Sequence, residues 1–463
     1  MEPTNIRFGG GAASTLLHPL VAVAMVLAVI LILCLPRKWA IAPLLFGVFT
    51  IPLGQVVVLG GVHFTVVRIL IIAGLVRRAV SRKSPLGSKF GGGFNPIDIV
   101  TILWIIFAFV IFTLQWMETQ AMIASLGDLL DRLGGYLAVR FLIQDMDDVK
   151  FAIKVFAAVC FVSGVCMINE HLTGRNIFGY LGGVSLYPQI REGKLRAQAA
   201  FEVYITAGVF GGIMIPLFVW LWNAGKSRVS ALLGTFGAIA MMIASSSSTP
   251  LLGFAGGLLA LCLWPLRKSM RILRWGFVMM LVGLQMVMKA PVWALIARVD
   301  LTGSSSGYHR YMLVDNCIRH FSDWWLLGYR YYNNWGWDMW DLSNQFVAVA
   351  LTGGLITLVL FTMVLSRSFG SLGTARNQVE GDRTKEWFLW CLGAALFANV
   401  VSFFGCSYMA QMQMALFGLV GMICVALHEA KQPALETSPA AASPAPRFVH
   451  GLWPSRSPER QVR

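Results

Sequence analysis

Apolar residues in this chain come as long unbroken blocks separated by short polar joints, with neither a two-residue nor a seven-residue alternation. Thirteen blocks stand out, at about 15–35, 40–60, 62–78, 97–115, 121–142, 149–169, 201–223, 229–246, 249–266, 270–288, 343–365, 386–404 and 409–428. A helix of about 20 apolar residues crosses a hydrocarbon core of about 30 Å. It also satisfies its own backbone polar groups there, which an open strand does not. The short alternating strands of an outer-membrane barrel are missing. The pattern therefore predicts an all-α fold, a polytopic membrane helix bundle of 12–13 transmembrane helices with a large outer loop containing short helices. The fifth block holds Asp128, Asp131 and Arg132, which predicts a broken or lipid-shielded helix whose charges face the bundle interior.

Two regions fall outside the blocks. Residues 1–428 form the expected transmembrane domain, with outer loops at 170–199 and 289–341. Residues 429–463, rich in Pro, Ala and Ser, bury too little apolar surface to order themselves and are expected to form a disordered cytoplasmic tail. Gly87 to Gly93 reads as a flexible linker. Residues 1–14 carry little positive charge, and no small-residue cleavage site precedes a soluble domain, so no cleavable signal is expected.

Composition agrees with the blocks: 57% hydrophobic, 13% charged and a mean hydropathy of +0.68. The net charge of +15 matters through its placement. Basic residues gather at Arg37 and Lys38; at Arg77, Arg78, Arg82, Lys83 and Lys89; at Lys226 and Arg228; at Arg267, Lys268, Arg271 and Arg274; and at Arg367, Arg376, Arg383 and Lys385. With thirteen crossings all of these fall on one face, which the positive-inside rule makes the cytoplasm. Topology thus accounts for the charge, and no nucleic-acid partner is expected. Six of the cysteines lie in apolar blocks, the others being Cys317 and Cys406, and no pair has a CxxC or zinc spacing. Neither a metal site nor a disulfide framework nor a cofactor is expected.

Arginines kept on the face where they are scarce point to an anionic ligand. Arg191, Lys194 and Arg196 precede the seventh block; an arginine fork holds phosphate oxygens in pairs, and a lipid headgroup is the alternative occupant. In the second outer loop, residues from His309 to His320 fit a short amphipathic helix. There Asp315 and Arg319, four apart, can bridge each other, whereas Arg310 has no acid at that spacing. The segment Tyr331 to Asp341 joins aromatic rings, among them Trp335 and Trp337, to Asp338 and Asp341. Such a mixture suits sugar rings, and equally an interfacial aromatic belt. Asp338, Asp341 or His309 could take a proton. Asn344 and Gln345 open the eleventh block nearby. The run Ser245 to Pro250 interrupts the blocks at the same face, either for close helix packing or as a broken helix lining a cavity.

The run Lys194-Leu-Arg196-Ala-Gln-Ala-Ala-Phe201, the break at 245–250, the segment His309-Arg310-Tyr-Met with Trp325-Leu-Leu-Gly328, and Ser343-Asn344-Gln-Phe with Gly353-Gly354 resemble the bacterial O-antigen ligase and O-antigen polymerase superfamily, over about residues 150–365. The resemblance implies a metal-independent, inverting inner-membrane glycosyltransferase with a periplasmic loop between late spans. Its partners would be an undecaprenyl-diphosphate-linked glycan donor, a glycan or lipid-linked acceptor, and membrane lipids. The family's diphosphate-binding arginines would correspond to Arg196 and Arg310. The chain departs from the family at Ser343-Asn344, where ligases carry His-Asn; the base would then come from Asp338, Asp341 or His309. A transporter or flippase of lipid-linked saccharide, and a noncatalytic subunit of a polysaccharide assembly complex, are the competing classes.

Cysteines introduced between residues 300 and 340 should react with a membrane-impermeant maleimide applied from outside the cell. Labelling of the 372–384 loop instead would reverse the orientation.

Overall fold

A computed structural model describes residues 15–59, 62–80, 90–224, 227–298, 306–336 and 338–431. The N-terminal residues 1–14, residues 87–89 of the predicted linker, the predicted tail from 432 and Trp337 lie outside the described residues. The helices are α1 (Pro19–Cys34), α2 (Ile41–Thr50), α3 (Val66–Val80), α4 (Pro96–Trp116), α5 (Thr119–Leu129), α6 (Gly135–Leu142), α7 (Met146–Thr173), α8 (Tyr204–Asn223), α9 (Arg228–Ala244), α10 (Ser248–Cys262), α11 (Met270–Val287), α12 (Ser306–Arg319), α13 (Phe321–Trp324), α14 (Gln345–Gln378), α15 (Arg383–Phe403) and α16 (Ala410–Lys431). Two hairpins, β1 (Val56–Leu59) with β2 (Val62–Thr65) and β3 (Gln189–Arg191) with β4 (Lys194–Arg196), are the only sheets among the described residues. The fold is an all-α bundle. Among the described residues, seven helical stretches are long and apolar enough to cross a membrane, and α1, α9 and α10 are shorter apolar helices. This is the build of a multi-pass membrane protein.

Helix starts follow capping chemistry. Asn95 and Asp98 form a reciprocal capping box at α4, with Pro96 in the first turn. Asp145 and Asp148 do the same at α7, which ends at Gly174 in the left-handed conformation. Both boxes satisfy amides that have no partner inside the helix.

The second and third predicted spans need correction. Instead of continuing to residue 60, α2 stops at Thr50, and the chain forms a hairpin before α3. Pro52 carries no amide hydrogen and disfavours helix at Ile51. The valines of β1 favour an extended strand. At 10 residues, α2 rises only about 15 Å. The fifth predicted span breaks as expected, through a π-helical turn at Leu130–Gly134 between α5 and α6. Its charges are paired: Arg68 holds Asp131 at 3.0 Å and Arg132 holds Asp128 at 2.8 Å.

Contacts between loops sort them into two ends. At one, Arg37 pairs with Asp145 and Asp148, Arg140 binds Gly91, Gly93 and Asp98, and Arg267 meets Glu386. This is where the basic loops collect. At the other, Gln55 donates to Leu181 and Gly182, and Gln411 donates to Val48 and Ala200. Tyr408 donates its amide to Gln345 there. We call these the basic end and the hairpin end.

Small residues let the central helices approach. A Cβ on Gly237 of α9 would sit 2.2 Å from the Cys160 carbonyl oxygen of α7, and one on Gly164 would sit 2.5 Å from that of Gly237. Backbones meet directly there. By contrast, α11 buries none of its residues, and a Cβ on its Gly276 would touch nothing within 4 Å. Gly237→Leu should therefore abolish recovery of monodisperse protein in detergent. Gly276→Leu should leave yield and melting temperature unchanged; equal behaviour of the two would contradict the α7–α9 contact.

Candidate functional site

At the hairpin end, α9 and α10 are separated by Ser245–Ser247, with Ser246 at φ +46°. Strand β4 lies across this break. The Ala197 amide donates to the Ala244 carbonyl at 3.0 Å, and the Ser246 hydroxyl donates to the Leu195 carbonyl at 2.9 Å. Arg196 is held between these two bonds. The strand's continuation is fixed by the buried Glu170 at the end of α7, which accepts from the amides of Gln198 and Ala199. Asn176 donates to the Ala199 carbonyl at 2.8 Å, and Phe201 packs into an aromatic cluster with Phe49 and Phe210.

Arg196 is only 5% exposed. Its Nη1 donates to the Tyr204 hydroxyl at 2.5 Å, and its guanidinium lies over the Tyr204 ring at 4.7 Å. Among the described residues its Nε has no hydrogen-bond partner. A buried donor left in that condition costs about 1–3 kcal/mol.

Arg310 arrives at the same break from α12. It too is 5% exposed, and its Nη2 donates to the Thr249 hydroxyl at 2.8 Å. Thr249 in turn donates to the Gly405 carbonyl at 3.2 Å, which ties the site to the α15–α16 connection. The two sequence-predicted arginines are thus brought to one helix interruption by two different loops.

The loop carrying α12 is anchored on a second broken helix. At Gly354, φ +68°, α14 kinks, and the freed backbone groups pair with the loop. Leu355 donates its amide to Trp325 at 2.8 Å, and Tyr329 donates its amide to Leu351 at 2.8 Å. A Cβ on Gly328 would lie 2.1 Å from the Leu351 oxygen, so the residue there must be glycine.

The predicted proton acceptors gather around Asp341. The His309 Nε2 lies 3.0 Å from the Asp341 carbonyl oxygen and 4.0 Å from its carboxylate. The half-exposed Asp341 carboxyl is raised above its ordinary range, first by partial burial and then by the neighbouring charge of Asp338. His309, Arg310 and Arg191 oppose the rise, which places all three within electrostatic reach of it. Asp338 occupies the turn leading to Asp341, at φ +60°.

The other predicted residues have local partners. Arg191 is exposed on β3 and 3.8 Å from Glu192. Arg319 is bridged to Asp315 at 2.7 Å, and Asp315 also accepts from Trp293. The Trp335 ring stacks on His320 and on Tyr329, with centroids 4.6 Å and 5.2 Å away. It belongs to a small second core with Trp324 and Leu351. Asn344, 1% exposed, caps α14 by accepting from the amides of Phe346 and Val347. Sequence reasoning missed Tyr204, Glu170 and the direct role of Thr249. The serine-threonine interruption was the available signal for Thr249. Among the described residues no three His, Cys, Asp or Glu side chains gather as a metal site.

No known family model matches this chain, and no curated protein is significantly similar to it in sequence.

Thr249→Val keeps the shape and removes both hydrogen bonds. It should lower unfolding stability by about 1–3 kcal/mol, read as thermal unfolding in detergent, while Thr249→Ser restores it. A Val variant as stable as the parent would remove Thr249 as the anchor of Arg310.

Proposed function

We propose that the chain is an inner-membrane glycosyltransferase that ligates or polymerises surface polysaccharide from an undecaprenyl-diphosphate-linked donor. The bundle would sit in the bacterial plasma membrane, with the hairpin end periplasmic and the basic end and C-terminus cytoplasmic. One observation carries this reading. Two buried arginines from separate loops are anchored at one helix break, Arg196 through the backbone bonds that flank it and Arg310 through Thr249, and the Arg196 Nε is unpartnered among the described residues. The buried Arg196 guanidinium, resting on a phenol and a ring face with its Nε unpartnered among the described residues, suits a diphosphate, whose oxygens accept from planar forks. The resemblance of the same segments to the O-antigen ligase and polymerase superfamily points the same way.

In the proposed reaction an acceptor hydroxyl attacks the anomeric carbon of the donor sugar. A carbon–oxygen bond to the acceptor forms as the bond to the diphosphate breaks, with inversion. Arg196 and Arg310 would stabilise the charge that develops on the leaving diphosphate. Asp341 would accept the hydroxyl proton, with Asp338 and His309 tuning its carboxyl. This assignment meets the absence of histidine at Ser343. Charges inside the bundle, Arg140 with Asp98 and Arg68 with Asp131, are locked in ion pairs. A chain of open ionisable groups, as a flippase would favour, is not what these pairs provide.

The test is transfer by purified protein from an undecaprenyl-diphosphate-linked glycan. Asp341→Asn should cost about 10²–10⁴ in rate, and Arg310→Lys should fail because a point charge cannot replace a fork. The base works only when ionised, so its raised carboxyl should place the acid limb of the rate profile above the ordinary aspartate value of about 4. That limb should vanish in Asp341→Asn. Full activity in the Asp338→Asn, Asp341→Asn double variant would reject the assignment.

A further inference from the structure

On the same hairpin as Arg196 lies an open cleft of about 610 Å³ whose lining includes Gly54, Ser185, Tyr187, Gln189, Gln198 and Glu202. It shares the hairpin with Arg196: Gln189 is paired directly opposite Arg196 in the ladder, and Gln198 follows two residues later. Its walls are fixed by buried groups. Gln55, 1% exposed, accepts from the His18 amide at 2.9 Å and donates to the carbonyls of Leu181 and Gly182 at 2.6 and 2.8 Å. A Cβ on Gly54 would fall 2.5 Å from the Gly183 Cα, so the two loops touch backbone to backbone. The concavity is therefore preformed, and its size is that of a small-molecule site.

The lining decides the occupant. It offers two neutral side-chain amides, a hydroxyl, one carboxylate and an exposed tyrosine ring, and none of its lining residues is a cation. A phosphate would find no cation here, and a polyprenyl tail would find too many polar groups. A polyhydroxylated ring matches, since amides and a carboxylate pair with hydroxyls while a tyrosine face covers C–H groups. We propose that this cleft is a saccharide subsite, seating one sugar unit of the glycan being joined next to the diphosphate held by Arg196. The proposal rests on the glycosyltransferase reading above and adds to it the place where the sugar is recognised.

The full chain in lipid nanodiscs would be titrated by saturation-transfer NMR with two probes. One is the oligosaccharide freed by mild acid from the cells' own lipid-linked glycan, the other inorganic pyrophosphate. The paired variant Gln198→Ala, Glu202→Gln, and Ser185→Trp, which fills the cleft from an exposed position, should each weaken oligosaccharide binding about tenfold or more. Pyrophosphate binding should be unchanged in both. Arg196→Gln should show the reverse pattern. In the transfer assay the cleft variants should raise KM for one substrate alone, and whether that is the donor or the acceptor identifies the source of the sugar. The proposal is overturned if the oligosaccharide does not bind the parent chain, or binds the cleft variants equally well. Pyrophosphate that fails to bind the parent while the cleft still takes sugar would sink the diphosphate reading and leave the subsite standing.

Discussion

A helix interrupted inside an apolar bundle must have its freed polar groups satisfied by protein, because lipid offers no partner. The gap between α9 and α10 sets this requirement, and the architecture of the hairpin end answers it. Strand β4 supplies the carbonyl of Leu195 to Ser246, and the residue after it, Ala197, supplies its amide to Ala244. Arg310 and Gly405 meet at Thr249. Satisfying the break is therefore the same act as placing Arg196 and Arg310. The side chains that suit an anion are held by backbone geometry that the fold needs in any case.

The kink of α14 repeats the arrangement. Its broken ladder at Gly354 is completed by Trp325 and Tyr329, so the loop bearing α12 is pinned to the bundle. Arg310 is thereby delivered from a braced helix and not from a loose excursion. One buried charge pair elsewhere is a closed system. Arg140 and Asp98 are fully buried and bind each other, with Tyr136 donating to the same carboxylate. Removing one member of such a pair costs about 3–5 kcal/mol, which marks it as structure. Arg196, resting on a phenol and a ring face, has no such closure.

The apolar blocks made most helices legible, because block length alone separates a spanning helix from a surface one. The serine run at 245–248 marked the decisive break, whereas the capping boxes at Asn95 and Asp145 emerged only in the structure. The hairpins were not legible. Val56 to Thr65 is apolar enough to read as helix, and Pro52, the valines of β1 and the tight Gly54–Gly183 contact turn it aside. The partners of the arginines were hidden for another reason. Tyr204 and Thr249 are ordinary residues at helix starts, and their importance arises only when distant loops fold onto them. Asn344 and Trp335 carried sugar-like chemistry in sequence; in the fold one caps α14 and the other stacks within the small second core.

The proposed reaction requires the α9–α10 break to hold an anion between its two loops. A cryo-electron microscopy map of the chain in nanodiscs with undecaprenyl diphosphate tests it most directly. The account predicts headgroup density between the guanidinium groups of Arg196 and Arg310, beside Thr249. Density among Arg267, Arg271 and Arg274 at the basic end, with the break empty, would contradict it.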